Sequence, residues 1–244
     1  MMQARKPEII LIIAMNENGL IGKDDKMPWK SSLDFLWFQK NTMGWPCIFG
    51  TKTAQGMSQF PLKNRPCAVV TQKSETHVIP PMPGHGPYLS FGPGAFYNSI
   101  GEALQFYKNF DRIFMCGGVR LYQSALMSKQ LWFDLVGTSE LDKQLVDTIV
   151  KTTFAGGNIQ GNVFLKSETL AMMSQPDFKT LYSREYELDI ESKGFYKSIN
   201  CKNHSEEIKE AIDMPFEHQL RNGDTPFSKI RFEILKRVKE NPSK

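Results

Sequence analysis

Short apolar runs alternate with segments of helical periodicity along most of the chain. The apolar runs predict strands at residues 8–15, 46–50, 67–71, 88–91, 112–116, 131–139, 178–190 and 227–238. Helical spacing of apolar positions predicts helices at 32–42, 52–58, 98–109 and 118–127. Repetition of strand, helix and strand is typical of an α/β fold, in which helices flank both faces of a mostly parallel, twisted central sheet.

The strand predicted at 178–190 follows a different pattern. Tyr182, Tyr186 and Leu188 alternate with polar residues such as Glu187, so apolar and polar side chains point to opposite faces. Strands with one solvated face are common in antiparallel pairs. We therefore expect the last two strands to lie antiparallel at the carboxy-terminal edge of the sheet.

Composition indicates an ordinary globular protein, with 41% hydrophobic and 23% charged residues. The longest clean apolar run, residues 9–15, is too short to span a bilayer, so we expect no membrane partner. The formal net charge is +4, but charged and apolar residues alternate over 229–234, as on a solvated strand face. Nothing resembles a helix-turn-helix, an RNA-binding aromatic motif or a zinc finger, so we expect no nucleic acid partner.

The four cysteines and four histidines show no metal-binding spacing. Cys47, Cys67 and Cys116 lie inside apolar runs, where a reduced and buried thiol is usual. Cys201 lies far from all three along the chain. We therefore expect no metal site and a reduced, cytoplasmic protein.

One helical pattern carries a carboxylate in its first turn among aromatic residues. Ser31 or Ser32 would cap this helix, and Asp34 would favour its positive end. A carboxylate beside Phe38 and Trp29 is partly desolvated, so it can hold or relay a proton nearer neutral pH than a solvated aspartate. The alternative is a capping aspartate above a core-facing aromatic stripe.

Five blocks of sequence resemble the dihydrofolate reductase family and occur in the family's order. They are Ile9–Met15 with Asn-Glu-Asn-Gly-Leu-Ile-Gly at 16–22 and Met27-Pro28-Trp29; Ile48-Phe49-Gly50-Thr51-Lys52-Thr53; Pro61-Leu62-Lys63-Asn64-Arg65; Ile113–Tyr122 around Cys116-Gly117-Gly118; and Ile230–Arg237. The resemblance covers 9–139 fairly continuously and the last strand well. It implies NADPH-dependent reduction of 7,8-dihydrofolate to 5,6,7,8-tetrahydrofolate, which supplies one-carbon metabolism and thymidylate synthesis.

The resemblance also implies one domain over residues 1–244, with insertions at about 141–177 and 191–224, where the chain is longer than the family's usual connections. The second insertion contains a short helical pattern at 206–212. These insertions are either surface elaborations or a partner-binding or oligomerising appendage, and the chain is a monomer or a homodimer. The Pro/Gly-rich stretch at 79–95 reads as a surface loop around the short predicted strand.

The substrate residues follow from the resemblance, block by block. Asp34 would bond the amino-pyrimidine edge of the pterin and support its protonation through ordered water, which Trp29 helps to hold. The substrate slot would be lined by Ile12, Ala14, Phe38, Thr42, Met57 and Leu62. Arg65 would bind the glutamate carboxylate of folate, since a planar two-pronged donor suits a carboxylate. The strand residue paired with Asp34 through water is Asp134, Leu135 or Thr138, of which Thr138 suits the role best chemically.

The cofactor residues follow in the same way. They are Ala14, Ile21, Gly22, Gly50, Thr51, Lys52, Thr53, Thr71, Gln72, Lys73, Cys116, Gly117, Gly118, Val119, Arg120, Leu121 and Tyr122. Glycines after a strand let backbone approach a cofactor, and the amides of the following helix can meet its pyrophosphate. The resemblance implies a cis peptide at the glycine pair, although Val119 stands where many relatives have a third glycine. Lys52, Thr71, Gln72 and Lys73 would favour the extra phosphate of NADPH.

The loop from Leu20 to Lys26 resembles the family's mobile segment that closes over the nicotinamide, and an ordinary exposed turn is the other interpretation. Two further functions stay open. One is a related reductase of pterins or riboflavin precursors; the Trp29–Asp34 spacing and Arg65 argue against it. The other is a catalytically idle, folate-binding structural protein that works through its insertions.

Overall fold

The computed structural model of the chain describes residues 6–71, 95–128, 130–131, 135, 144–191, 194–203, 214–215 and 217–238. The strands are β1 Glu8–Asn16, β2 Leu20–Gly22, β3 Cys47–Gly50, β4 Cys67–Val70, β5 Ala95–Tyr97, β6 Arg112–Met115, β7 Thr148–Ala155, β8 Val163–Phe164, β9 Phe178–Asp189, β10 Phe195–Asn203, β11 Glu217–Gln219 and β12 Lys229–Arg237. The helices are α1 Ser32–Thr42, α2 Thr51–Gly56, α3 Ile100–Tyr107, α4 Val119–Met127 and α5 Ser167–Met173.

Ten of these strands form one sheet in the order β11-β10-β9-β12-β7-β1-β6-β3-β4-β5. The neighbours from β7 to β5 pair in parallel, whereas β12 pairs antiparallel with both β7 and β9. β2 and β8 form a separate small antiparallel pair. The predicted α/β fold with antiparallel strands at its carboxy-terminal edge is confirmed.

The buried run of β1 explains why the protein has a layer on each side of the sheet. Ile10 and Ile12 belong to one apolar cluster, which includes Leu33 and Trp37 of α1. Ile9, Leu11 and Ile13 point the other way, into a cluster that contains residues of α3, α4 and α5. Because successive side chains of a strand alternate in direction, a continuous apolar strand requires cover on both faces.

The prediction of a strand at 131–139 is wrong in its described part. Leu131 and Leu135, the described residues of the predicted strand 131–139, are helical. A strand that was not predicted, β7, lies within the stretch 141–177 instead. It pairs with β1 and β12 in the middle of the sheet. Lys151 and the threonines of β7 interrupt its apolar run, so the sequence pattern predicts no strand at 148–155. β-branched residues nevertheless suit a strand well.

The predicted insertion at 191–224 adds two strands to the sheet. β10 pairs with β9 by a hairpin connection, and β11 pairs with β10 at the outermost edge. The predicted strand at 88–91 and the helical pattern at 206–212 lie outside the described residues. Within the described parts of the chain, no helix combines the length and the hydropathy needed to cross a membrane.

Candidate active site

The start of α1 sets the position of its acidic residue. Ser31 has extended backbone angles, and its hydroxyl accepts a hydrogen bond from the Asp34 amide at 3.2 Å. Ser31 is therefore the N-cap, which decides between the two serines that the sequence allows. The cap fixes Asp34 in the first turn, with its side chain toward the sheet.

Asp34 lies in an apolar setting, with 7% of its surface exposed. Burial raises the pKa of its carboxyl from 3.8 to about 6, because the charged form loses its hydration. A hydrogen bond from the Thr152 hydroxyl lowers the pKa and offsets part of this rise. The result is a carboxyl group that can change its protonation state near neutral pH.

Thr152 is the strand partner of Asp34 that the sequence analysis missed. It is almost completely buried on β7, where it lies opposite Ala14 of β1. Of the three expected candidates, Leu135 packs in the apolar cluster on the opposite face of the sheet, while Asp134 and Thr138 lie outside the described residues. The available signal was the alternation over 148–155, with a threonine between inward-facing apolar residues.

Trp29 lies in the chain segment before α1, and its ring packs near the strand that carries Thr152. Its ring is buried and packs against Phe154 and Phe227, with centroid distances of 4.7 and 6.2 Å. Its indole Nε1 is buried and has no hydrogen-bond partner among the described residues. A buried N–H without a partner costs free energy, so this donor suits a bound water or ligand atom.

The structure brings the expected apolar residues of the substrate slot together in one cluster. Ile12 is buried, whereas the half-buried members are Ala14, Phe38, Met57 and Leu62. Half-buried apolar side chains beside a buried carboxyl are suited to the edges of a flat aromatic ligand. This part of the expected slot is consistent with the geometry.

Thr42 was expected to line the substrate slot, but the structure places its side chain in a buried contact with Arg65. It is completely buried, donates to the Phe38 carbonyl at 2.7 Å, and accepts from Arg65 Nη1 at 3.1 Å. Arg65 Nε also donates to the Lys63 carbonyl at 3.2 Å, and the guanidinium lies over the Phe38 ring. Thr42 therefore orients Arg65 and cannot itself line the slot.

The glycine pair lies where β6 leads into α4. The Gly117–Gly118 peptide bond is cis, as the resemblance implies. The Gly50 amide donates to the Gly117 carbonyl at 2.6 Å, which joins the ends of β3 and β6. A Cβ added at Gly118 would lie 3.1 Å from the Thr53 hydroxyl, so a side chain there would fill the space between the two strand ends.

Two helices begin at this junction without a side-chain cap. Gly50 precedes α2 and Gly118 precedes α4, and neither provides a capping side chain. The first amides of α4, at Val119 and Arg120, therefore point into the junction and can accept an anionic group. The side chains of Leu121 and Tyr122 are buried, so only the backbone of these two residues is suited to a cofactor.

The other expected cofactor residues are dispersed around the junction. Lys52 has an exposed side chain that pairs with Asp25 at 3.1 Å, and the Thr51 hydroxyl donates to the Val70 carbonyl. Thr71 follows β4, while Gln72 and Lys73 lie outside the described residues. Burial raises the pKa of the Cys116 thiol, which is therefore a packing group.

The loop after β2 is attached to the body of the protein at several points. The Asp24 amide donates to Asn162 Oδ1 at 2.8 Å, and Asn162 Nδ2 donates back to Asp24 at 2.9 Å. A Cβ on Gly56 would lie 2.0 Å from the Asp25 carbonyl oxygen, so α2 and the loop touch through a glycine. Of the two expected contact residues here, Gly22 is buried and Ile21 is half-buried.

Metal chemistry has no support in the described ranges of the chain, where no group of three histidine, cysteine, aspartate or glutamate side chains could hold an ion. Cys47, Cys67, Cys116 and Cys201 are free thiols. The site therefore consists of one buried carboxyl, its threonine and tryptophan neighbours, an orienting arginine and a glycine junction.

Comparison with known proteins gives a consistent result. The sequence profile described as dihydrofolate reductase matches residues 8–154. The dihydrofolate reductase of Haemophilus influenzae is 32% identical over 117 residues, which cover 48% of this chain and 63% of that protein. The dihydrofolate reductase of Enterococcus faecium is 29% identical over 143 residues, which cover 58% of this chain and 78% of that protein. The match to the first relative thus covers less than two thirds of its length.

A solved structure agrees on the fold. It is the dihydrofolate reductase from Enterococcus faecalis complexed with NADP(H) and RAB-propyl, with a TM-score of 0.56. The alignment covers 95% of this chain and 97% of the other, at 16% sequence identity. At this identity the likeness shows the fold alone.

Proposed function

The chain belongs to the dihydrofolate reductase family, and on that premise we propose that it reduces 7,8-dihydrofolate to 5,6,7,8-tetrahydrofolate with NADPH. The observation that carries this proposal is the buried Asp34 carboxyl, whose pKa is raised to about 6 beside Thr152. Its slot adjoins the glycine junction across β1, because Ala14 lies opposite Thr152 and the Ile12 carbonyl accepts from Tyr122 of α4.

Asp34 orients the pterin in this proposal. A carboxylate accepts two hydrogen bonds side by side, which matches the amino group and ring nitrogen of an amino-pyrimidine edge. The hydrogen bond from Thr152 would hold the carboxyl in a fixed orientation for such a ring. The apolar residues of the slot exclude water from the rest of the pterin, which strengthens these bonds.

The proton for the pterin nitrogen is managed by the same group. At a pKa of about 6, a substantial fraction of Asp34 is protonated just below neutral pH. Trp29 Nε1 offers a buried donor that would hold a water molecule beside the substrate. We assign Asp34 and Trp29 as the catalytic pair, with the water as the carrier of the proton.

Arg65 binds the acidic tail of the substrate in this proposal. Thr42 and the Lys63 carbonyl fix two of its nitrogens, so the plane of the guanidinium is set before the ligand arrives. A fixed planar donor gives up little entropy when it binds a carboxylate.

The backbone groups on the cofactor side suit a dinucleotide. The uncapped amides of α4 suit a pyrophosphate, and the Gly117–Gly118 backbone leaves space that a Cβ would fill. Thr53 and the exposed Lys52 flank the same junction and suit further phosphate oxygens. Bound NADPH supplies the hydride that reduces the pterin. In this proposal the loop from 20 to 26, which is hydrogen-bonded to Asn162, closes over the cofactor side and excludes water.

The direct test is an assay of NADPH oxidation with dihydrofolate as substrate. We expect turnover with the wild type and a loss of at least about a hundredfold in Asp34→Asn. The matched control is Glu168→Gln, which removes an acid from the first turn of α5, where no expected site residue lies. It should keep wild-type turnover.

The alternatives give different outcomes in the same assay. Turnover of a non-pterin alone would favour a riboflavin-precursor reductase. Binding of dihydrofolate without turnover would favour a folate-binding structural protein. Full turnover in Asp34→Asn would contradict the role of Asp34. Sedimentation of the purified chain would decide between the proposed monomer and a homodimer.

A further inference from the structure

The strands that extend the sheet edge lead back to the active-site helix. We name residues 217–227 the clasp; it begins with β11 and ends just before β12. Its hydrogen bonds run to the first turn of α1 and to Lys30, the residue before the N-cap of that helix, although almost two hundred positions separate these segments in the sequence. The clasp therefore contacts the helix that carries Asp34.

The first contact is a second cap on α1. Asp224 Oδ2 accepts from the Ser32 amide at 3.1 Å and also from the Ser32 hydroxyl. The Arg221 amide donates to the same oxygen at 3.3 Å, which shapes the turn around it. Together with the Ser31 cap, this carboxylate satisfies two amides of the first turn and lies at the positive end of the helix.

His218 completes the contact at Ser32. Its Nε2 lies 2.8 Å from the Ser32 hydroxyl oxygen. Because that hydroxyl donates to Asp224, its oxygen is left to accept, which places the histidine proton on Nε2. Burial lowers the pKa of His218, with Arg221 acting in the same direction and Asp224 opposing it.

The second contact holds the segment before the helix. The Thr225 amide donates to the Lys30 carbonyl at 2.7 Å, and the Lys30 amide donates to the Thr225 hydroxyl at 3.2 Å. Two bonds in opposite directions fix both the position and the orientation of this peptide. Trp29 directly precedes Lys30 in the sequence, so these two bonds also fix the backbone next to Trp29.

The third contact supports the tryptophan itself. Phe227 packs against both Trp29 and Phe154, with the two phenylalanine rings 4.4 Å apart. Tyr196 of β10 holds Phe227, accepting from its amide at 2.8 Å and donating to its carbonyl at 3.0 Å. Through Tyr196, β10 therefore fixes the position of Phe227, which packs against the ring of Trp29.

We propose that the clasp is a positioning element of the active site, in which Asp224 acts on Asp34 through Ser32 and Phe227 acts on Trp29. This inference rests on the proposed function. Neither clasp residue is expected to touch the substrate. Without the clasp, the first turn of α1 would retain only its serine cap, and water would reach Asp34 more readily.

The test uses two replacements of Asp224 and one of Ser32. Asp224→Ala removes the acceptor, Asp224→Asn keeps an acceptor oxygen, and Ser32→Ala removes the hydroxyl while keeping a good helix former. Glu217→Gln is the matched control, since it neutralises an exposed acid on the same clasp. Each purified variant is assayed for kcat, KM for dihydrofolate and the pH dependence of turnover.

We expect Asp224→Ala to lower kcat by about 3- to 10-fold while KM changes less than about 2-fold, because Arg65 contacts Thr42 at the end of α1 that lies opposite to the clasp. The pH midpoint of turnover should fall, since a better hydrated Asp34 ionises more easily. Tyr122 is the titratable neighbour whose pKa Asp34 raises, and it is buried on α4, away from the substituted residues. Asp224→Asn should recover most of the loss, Ser32→Ala should lie between them, and Glu217→Gln should match the wild type.

Hydrogen exchange of the protein without ligands gives a readout independent of activity. The amides of residues 29–36 should exchange faster in Asp224→Ala and in Ser32→Ala. A variant with a lower melting temperature but unchanged kcat, pH midpoint and exchange would reduce the clasp to a structural brace and overturn the inference. If the wild type reduces no dihydrofolate, the proposed function fails, while the exchange experiment still decides whether the clasp orders this segment.

Discussion

The two sides of the candidate site are built by different means. The substrate side consists of side chains: a buried carboxyl at Asp34, its donor Thr152, the orphan indole of Trp29 and the oriented Arg65. The cofactor side consists mainly of backbone, with a glycine junction and uncapped helix starts. The first side selects a ligand by specific chemistry, whereas the second accepts any group of the right shape and charge. On the substrate side, a substitution should therefore lower activity by removing a chemical group. On the cofactor side, it should lower activity by adding atoms where the backbone needs open space.

The largest expected effect is the loss of the carboxyl. Asp34→Asn keeps the shape of the side chain but cannot supply or take up a proton. Turnover should fall by about 10²- to 10⁴-fold, while dihydrofolate still binds. Single-turnover kinetics and ligand binding measured on the same preparation separate the two. Loss of binding with unchanged chemistry would move Asp34 from catalysis to recognition.

The same substitution should make the folded protein more stable at neutral pH. Burial raises the pKa of Asp34 from 3.8 to about 6, so its contribution to stability is present below the lower value and lost as pH rises through the higher one. Asn does not ionise. Asp34→Asn should therefore exceed the wild type by roughly 2–3 kcal/mol of unfolding free energy at pH 7. Urea unfolding at several pH values measures the gap, which should close by about pH 4; a constant gap would contradict this account.

On the cofactor side, adding one methyl group should be enough to damage the site. Gly117 has φ +116, and a Cβ there would lie 3.0 Å from the Tyr122 hydroxyl. Gly117→Ala should raise KM for NADPH by about 10- to 100-fold. Gly44→Ala is the control, because Gly44 also has positive φ but open space around it. Equal KM values in the two variants would show that the junction tolerates a side chain.

Arg65→Lys tests recognition without changing charge. Lysine cannot present two parallel donors, so KM for dihydrofolate should rise about tenfold with little change in kcat. A dihydropterin substrate that lacks the glutamate tail serves as the control, and it should not distinguish the variant from the wild type. If both substrates lose affinity equally, Arg65 acts through Phe38 and the slot instead.

The smallest effect is expected at Thr152. Thr152→Val removes the hydrogen bond that lowers the pKa of Asp34 while keeping the volume of the side chain. The pH midpoint of turnover should move upward by less than about one unit. A pH profile of single-turnover rates measures it. No movement would mean that the hydroxyl orients Asp34 without affecting its proton.

The sequence predicts the parts of the site that depend on one local pattern better than the parts that depend on the register between strands. Asp34, Phe38 and Trp29 lie within ten positions, so one capped helix brings them together. Thr152 reaches Asp34 only because β7 pairs with β1, and a strand containing lysine and threonines gives a weak apolar signal. The clasp depends on contacts across nearly the whole chain, which no local pattern encodes. The burial of Thr42 is likewise not encoded in a local pattern, since it follows from packing against Arg65.

The proposed function depends most on the proton of Asp34. The most direct test is a titration of the Asp34 side-chain carboxyl carbon by NMR, in wild-type protein without ligands, with Asp34→Asn to assign the signal. We expect a pKa of about 6. A value near 3.8, that of an unperturbed aspartate, would contradict it, because such a carboxyl would be ionised and hydrated throughout the range in which the enzyme is proposed to work.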